Sequence, residues 1–167
     1  MKHISALTLT IVVASSHWPV AIEKHDAVYA GGTIATFNTE GERVGGRIDT
    51  SDPDRLVFVA AEHRLADTPL RVDYAEIHHV EFGQHARRRV AAAIGAATLI
   101  GPIGLFVLRS KHRAHFLTVV YRDERGANQV VVLELGKSVV RDTLAVIEAR
   151  SGVAIEYQDE EARRWRK

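Results

Sequence analysis

At 167 residues the chain can bury one core of ordinary size but not two, and 46% hydrophobic against 26% charged residues excludes general disorder. A net charge of +1 gives no overall pull toward nucleic acid. The absence of cysteine excludes disulfides, thiolate metal sites and a lipid-modified cysteine anchor.

The N-terminus carries Lys2, an apolar run at 4–14 (ISALTLTIVVA) and the small residues Ser15 and Ser16. This order predicts a signal peptide over residues 1–16, with a possible extension to 21 and cleavage after Ala14 or Ser16. Export to the periplasmic side of a cell envelope is therefore expected. A buried first strand or an uncleaved anchor is the competing reading, because Thr8, Thr10 and a single Lys make the pattern a weak example. Residues 17–25 read as a lead-in.

From Asp26 onward short strand signals alternate with turn residues, the pattern of an antiparallel sandwich or barrel. Residues 27–30 (AVYA) and 33–37 (TIATF) flank Gly31-Gly32 and predict one long strand with a bulge or bend at the glycines. Residues 38–43 form a loop, 44–49 a second strand, and Ser51-Asp52-Pro53-Asp54 a turn. Residues 56–60 (LVFVA) predict a buried third strand and 70–73 a short fourth. Residues 74–82 (YAEIHHVEF) continue the β region, with Ile77, Val80 and Phe82 as core contributors and Gly83 as its end. Further on, 115–121 (HFLTVVY) and 129–135 (QVVVLEL), separated by 122–126, predict a hairpin. Residues 138–150 have helical periodicity, with Val140, Leu144 and Ile147 on one face, Ser138 as the starting cap and Gly152 as the end cap. A short strand at 153–157 and a charged tail at 160–167, with Trp165 as its large apolar residue, complete the chain.

Between the β region and the hairpin lies an insert of a different kind. Residues 90–108 (VAAAIGAATLIGPIGLFVL) hold no charge, and Thr98 is their one polar side chain. From 82 to 122 there is no Asp or Glu, while Arg87, Arg88, Arg89, Arg109, Lys111, Arg113 and Arg122 supply seven positive charges. A straight helix of this length would reach roughly 28 Å, enough to span a bilayer. A single crossing, however, would strand the preceding β segments and the following hairpin on opposite sides. Gly101-Pro102 breaks the helical ladder and permits a return, so the insert is expected to be an apolar helical hairpin. Its first leg, about 16 Å if helical, would dip into one leaflet. The expected membrane contacts are Val90, Ile94, Leu99, Ile100, Gly101, Pro102, Ile103, Leu105, Phe106 and Leu108. Arg87, Arg88, Arg89, Arg109, Lys111 and Arg113 are expected to meet anionic headgroups. Ala92 and Ala96, Ala93 and Ala97, and Ala97 and Gly101 are spaced for close helix approach, so a protein partner or a homodimer is the alternative occupant. A soluble hairpin folded over the barrel is the third reading.

Nine histidines invite a metal hypothesis, but His78, His79, His85, His112 and His115 match no ligand spacing. Neighbouring His78 and His79 would point to opposite faces of a strand. His85, His112 and His115 read as interfacial cations at acid pH. No nucleophile elbow, phosphate loop, zinc-protease helix or cysteine nucleophile is present. No catalytic residue, metal or cofactor is expected, and basic residues without interleaved aromatics argue against nucleic acid.

The order of about seven strands and a closing helix over residues 26–152 resembles the pleckstrin-homology-like superfold, including its bacterial and GRAM-type relatives. Residues 70–80 (LRVDYAEIHHV), 113–121, 129–136 and 138–150 carry the resemblance. It is also similar to exported bacterial proteins with a hydrophobic insert before the last hairpin. The resemblance implies a seven-stranded barrel or sandwich that binds lipid headgroups or peptides. The first-hairpin loop departs from phosphoinositide binders, with Glu40 and Glu42 set against Arg43. The sequence thus points to a non-enzymatic, membrane-associated PH-like module acting as an envelope adaptor or binding protein. The alternative is a soluble interaction module, and a His-based metal protein or small enzyme stands behind both.

Overall fold

Strand and turn signals of the sequence become a sheet in the computed structural model, which describes residues 25–37, 43–84 and 114–166. The strands are β1 (Ala27–Gly32), β2 (Val44–Asp49), β3 (Arg55–Ala60), β4 (Leu70–Asp73), β5 (Ile77–Gly83), β6 (His115–Arg122), β7 (Asn128–Leu135) and β8 (Ile155–Tyr157). They form one sheet in the order β4-β3-β2-β1-β7-β6-β5-β8, curled into a half-barrel. Neighbours pair antiparallel except β8, which runs parallel to β5. Among the described residues three α-helices accompany it: α1 (His63–Ala66), α2 (Lys137–Ser151) and α3 (Glu160–Arg163). The expected mainly-β fold with a C-terminal helix is thus present. The expected signal peptide at 1–16 and the apolar hairpin at 90–108 lie outside the described residues.

Three local expectations are corrected. Residues 33–37 do not continue β1. Thr33 anchors to β7, its N–H donating to the Val130 carbonyl at 2.9 Å and its Oγ1 accepting from the Val130 N–H at 2.9 Å. The chain then turns, Phe37 N–H donating to the Ile34 carbonyl, which folds the Phe37 ring onto Tyr29 in the core. Burying that ring outweighs extending the strand. The bulge is real, but the register shift falls between Tyr29 and Gly31.

The second correction concerns residues 74–76, which form a 3-10 turn and not strand. Tyr74 is buried, and its N–H donates to the Asp54 carbonyl at 2.9 Å, so the chain is pinned where it passes from β4 to β5. Third, Ser138 does not cap α2. Gly136 stands at the N-cap without a side-chain hydrogen bond, and Ser138 lies inside the helix. At the other end Gly152 takes φ +70°, the left-handed conformation a side chain resists, and its N–H closes onto the Glu148 carbonyl at 3.1 Å.

The main core fills the inner face of the sheet. Alternate residues of every strand from β1 to β8 enter it, and Val140, Thr143, Leu144 and Ile147 of α2 close it. Ile77, Val80 and Phe82 are buried there as expected. Arg150 of α2 staples the helix to the rim: its guanidinium lies 5.4 Å from the Tyr74 ring centre and donates to the carbonyls of Thr50 and Asp52. The tail contributes too. Ala162 and Ile155 are buried in the core, and Trp165 packs edge-on against His115 at 4.9 Å.

Candidate functional site

The residues expected to touch a membrane, Val90, Ile94, Leu99, Ile100, Gly101, Pro102, Ile103, Leu105, Phe106 and Leu108, lie outside the described residues, as do Arg87, Arg88, Arg89, Arg109, Lys111 and Arg113. Their attachment points, however, are fixed. β5 and β6 are paired neighbours, and Gly83 at the end of β5 faces Phe116 at the start of β6. The chain therefore leaves and re-enters the sheet at adjacent positions at one end of this strand pair. A single crossing of a bilayer between β5 and β6 is incompatible with that pairing.

Above these attachment points the outer face of the sheet is apolar. Ala30, Ala114, Phe116, Val120, Val130 and Val132 form a second cluster, separate from the main core, and each is buried. No described helix contributes to it. Beside it lies a row of buried polar groups. Glu81 on β5 faces Thr118 on β6, and both are almost fully buried. Glu81 Oε1 accepts from Gln158 Nε2 at 3.0 Å, but among the described residues Glu81 Oε2, Thr118 Oγ1 and the neighbouring His79 Nε2 have no hydrogen-bond partner. A buried carboxylate oxygen and hydroxyl without partners carry a desolvation cost of about 1–3 kcal/mol each. Sequence reading missed this row because Glu81 and Thr118 meet only through strand pairing. The one available signal was a polar residue flanked by apolar ones, Glu81 between Val80 and Phe82 and Thr118 between Leu117 and Val119.

Among the described residues the histidines do not assemble. His78 is exposed and occupies the irregular position between Ile77 and His79, while His79 Nδ1 lies 3.8 Å from the Glu156 carboxylate. His115 opens β6. It stacks on Phe82 and meets Trp165, and burial, reinforced by Lys137, pushes its pKa below the ordinary value against the opposing pull of Glu161. Among the described residues no group of three or more metal-ligating side chains comes together. His85 and His112 lie outside them.

A polar groove of about 520 Å³ opens elsewhere, where the β6–β7 turn meets β3 and β4. Arg55, Arg71, Arg122 and Arg125 line it with Asp73, Asp123, Glu124 and Tyr121. Two of its carboxylates have structural tasks. Asp73 pairs with Arg55 at 2.6 Å. Asp123 organises the turn, accepting from Gln129 Nε2, the Ala127 N–H and the Arg125 N–H, which hold its carboxyl below the usual range. Burial, helped by the Asp123 charge, raises the Tyr121 pKa to about 12, so that phenol stays protonated at neutral pH. The groove can attract an anion weakly through its arginines, and its tyrosine is no base.

Among the described residues no helix is long and apolar enough to cross a membrane. Compared with models of known protein families and with curated protein sequences, the chain finds no match.

Proposed function

We propose that this chain is a non-enzymatic, PH-like binding module, exported and held at an anionic membrane surface by residues 90–108. The observation that carries the reading is the pairing of Gly83 with Phe116, because it puts both ends of the apolar insert at one edge of the domain. Arg87, Arg88 and Arg89 follow one end within a few residues, and Arg109, Lys111 and Arg113 precede the other. Six cations are thereby concentrated around one attachment site, where each contributes up to about 1 kcal/mol near an anionic leaflet and less in salt.

The strand order β4-β3-β2-β1-β7-β6-β5, with α2 closing the inner face, supports the PH-like assignment. The parallel strand β8 is an addition to that plan. Such a module at an envelope membrane serves as an adaptor that presents its sheet edges and groove to partners.

Vesicle flotation tests the reading. The chain from residue 17 onward is expected to float with vesicles containing anionic lipid at low salt, and to lose most of that binding as salt rises. Failure to float, or equal flotation once residues 90–108 are replaced by a short linker, rejects it.

A further inference from the structure

We propose that the outer face of β1, β7, β6 and β5 is the docking seat of this chain's own apolar insert, residues 90–108, so that protein holds one side of the insert. That the rest of the insert meets lipid depends on the function proposed above; the seat itself does not.

The first argument is burial. Valines on the outer face of a solvated sheet remain partly exposed, as Val57 and Val59 do on β3. On β6 and β7, by contrast, Val120, Val130 and Val132 are 1%, 1% and 2% exposed. Both faces of these strands are withdrawn from water, yet the outer cluster draws its members only from β1, β6, β7 and Ala114. Something apolar must cover it, since a continuous apolar run in a strand is stable only when both its faces are packed.

The second argument identifies the cover. Residues 85–113 leave from Gln84 and return at Ala114, which is itself a member of the outer cluster. Gly83 and Phe116, one and two residues inside these ends, are paired across the same face. The insert is therefore tethered twice beside the surface in question, and its composition is that of a core segment. Its alanines and glycines permit close approach to a layer of branched side chains. The other apolar stretch, near the N-terminus, joins the described chain at His25, whose ring lies over Gly45 of β2, on the far side of β1 from β6.

The cysteine-free chain makes this testable by cross-linking. Val132→Cys is combined in turn with a single cysteine at Ile94, Leu99, Ile103 or Leu105, and each full-length variant is oxidised at low concentration without vesicles. At least one pair is expected to close within a single chain, with a yield at least about tenfold above the same four partners combined with Val57→Cys, because docking raises the local thiol concentration. Removal of residues 1–24 should leave that yield unchanged. Failure of all four pairs, links formed only between two chains, equal yield from Val57→Cys, or loss of the link on removing 1–24 would each overturn the proposal. An intrachain link in a chain that does not float keeps the seat and rejects the membrane function; flotation without any link does the reverse.

Discussion

Strands β3 and β7 belong to one sheet and supply one inner core, but their outer faces are built differently. On β3 buried and partly exposed residues alternate, with Leu56, Phe58 and Ala60 inward and Val57 and Val59 outward. On β7 four consecutive residues, Val130 to Leu133, are all buried, and β6 repeats the pattern from Phe116 to Tyr121. The β2–β4 half of the sheet faces water on one side, whereas the β5–β7 half is packed on both. That difference separates a surface that tolerates change from one that does not, and it coincides with the place where the insert leaves the sheet.

A matched pair of charges is the strongest way to break the comparison. Val132→Lys would bury an ammonium group without a partner and is expected to cost about 3–5 kcal/mol or to prevent folding. Val57→Lys on β3, beside Asp49 on β2, is expected to stay within about 1 kcal/mol of the parent. Urea denaturation of both variants decides the matter, and equal costs would erase the distinction between the halves.

The inner face, by contrast, should be equally demanding throughout. Leu144→Ala removes an α2 side chain from the shared core and is expected to cost about 2–4 kcal/mol by the same assay. Gly46→Ala tests the β2–β3 side of that face, since an added Cβ would collide with the Val59 carbonyl and lie 2.7 Å from the Phe58 ring. A loss of about 1–3 kcal/mol is expected, and a neutral result would mean that this half is packed more loosely than the geometry says.

The smallest expected effect is a pH dependence at the edge of the packed half. Burial lowers the His115 pKa from 6.5 in the folded chain, so the unfolded chain takes up the proton first as pH falls. Stability from this group is complete above about 6.5 and is lost as pH drops through the lower folded value. His115→Phe, which keeps a ring between Phe82 and Trp165, should flatten the curve over that window. An unchanged slope in thermal melts would assign the pH dependence to another group.

Much of this architecture was legible in the chain. The hairpin of β6 and β7 announced itself as two β-branched apolar runs around a polar turn, and the short β4 and the closing helix α2 by side chains that repeat at the period of the structure they adopt. Residues 33–37 and 74–76 misled because each carries a local β pattern that a tertiary event overrides, the burial of Phe37 in one case and of Tyr74 in the other. The polar row of Glu81 and Thr118 and the groove around Arg71 and Arg122 depend on register between strands distant in sequence. No local pattern encodes those meetings.

The central claim is that the outer face of the β5–β7 half is covered by the insert, and thiol labelling of buried positions tests it most directly. Single cysteines at Val57 and Val132 are compared in the full chain and in a chain whose residues 90–108 are replaced by a short linker. Val132→Cys is expected to react at least about tenfold more slowly than Val57→Cys in the full chain and to match it once the insert is gone. Equal labelling of the two positions in the full chain, or persistent protection of Val132→Cys in a folded chain without the insert, would contradict it.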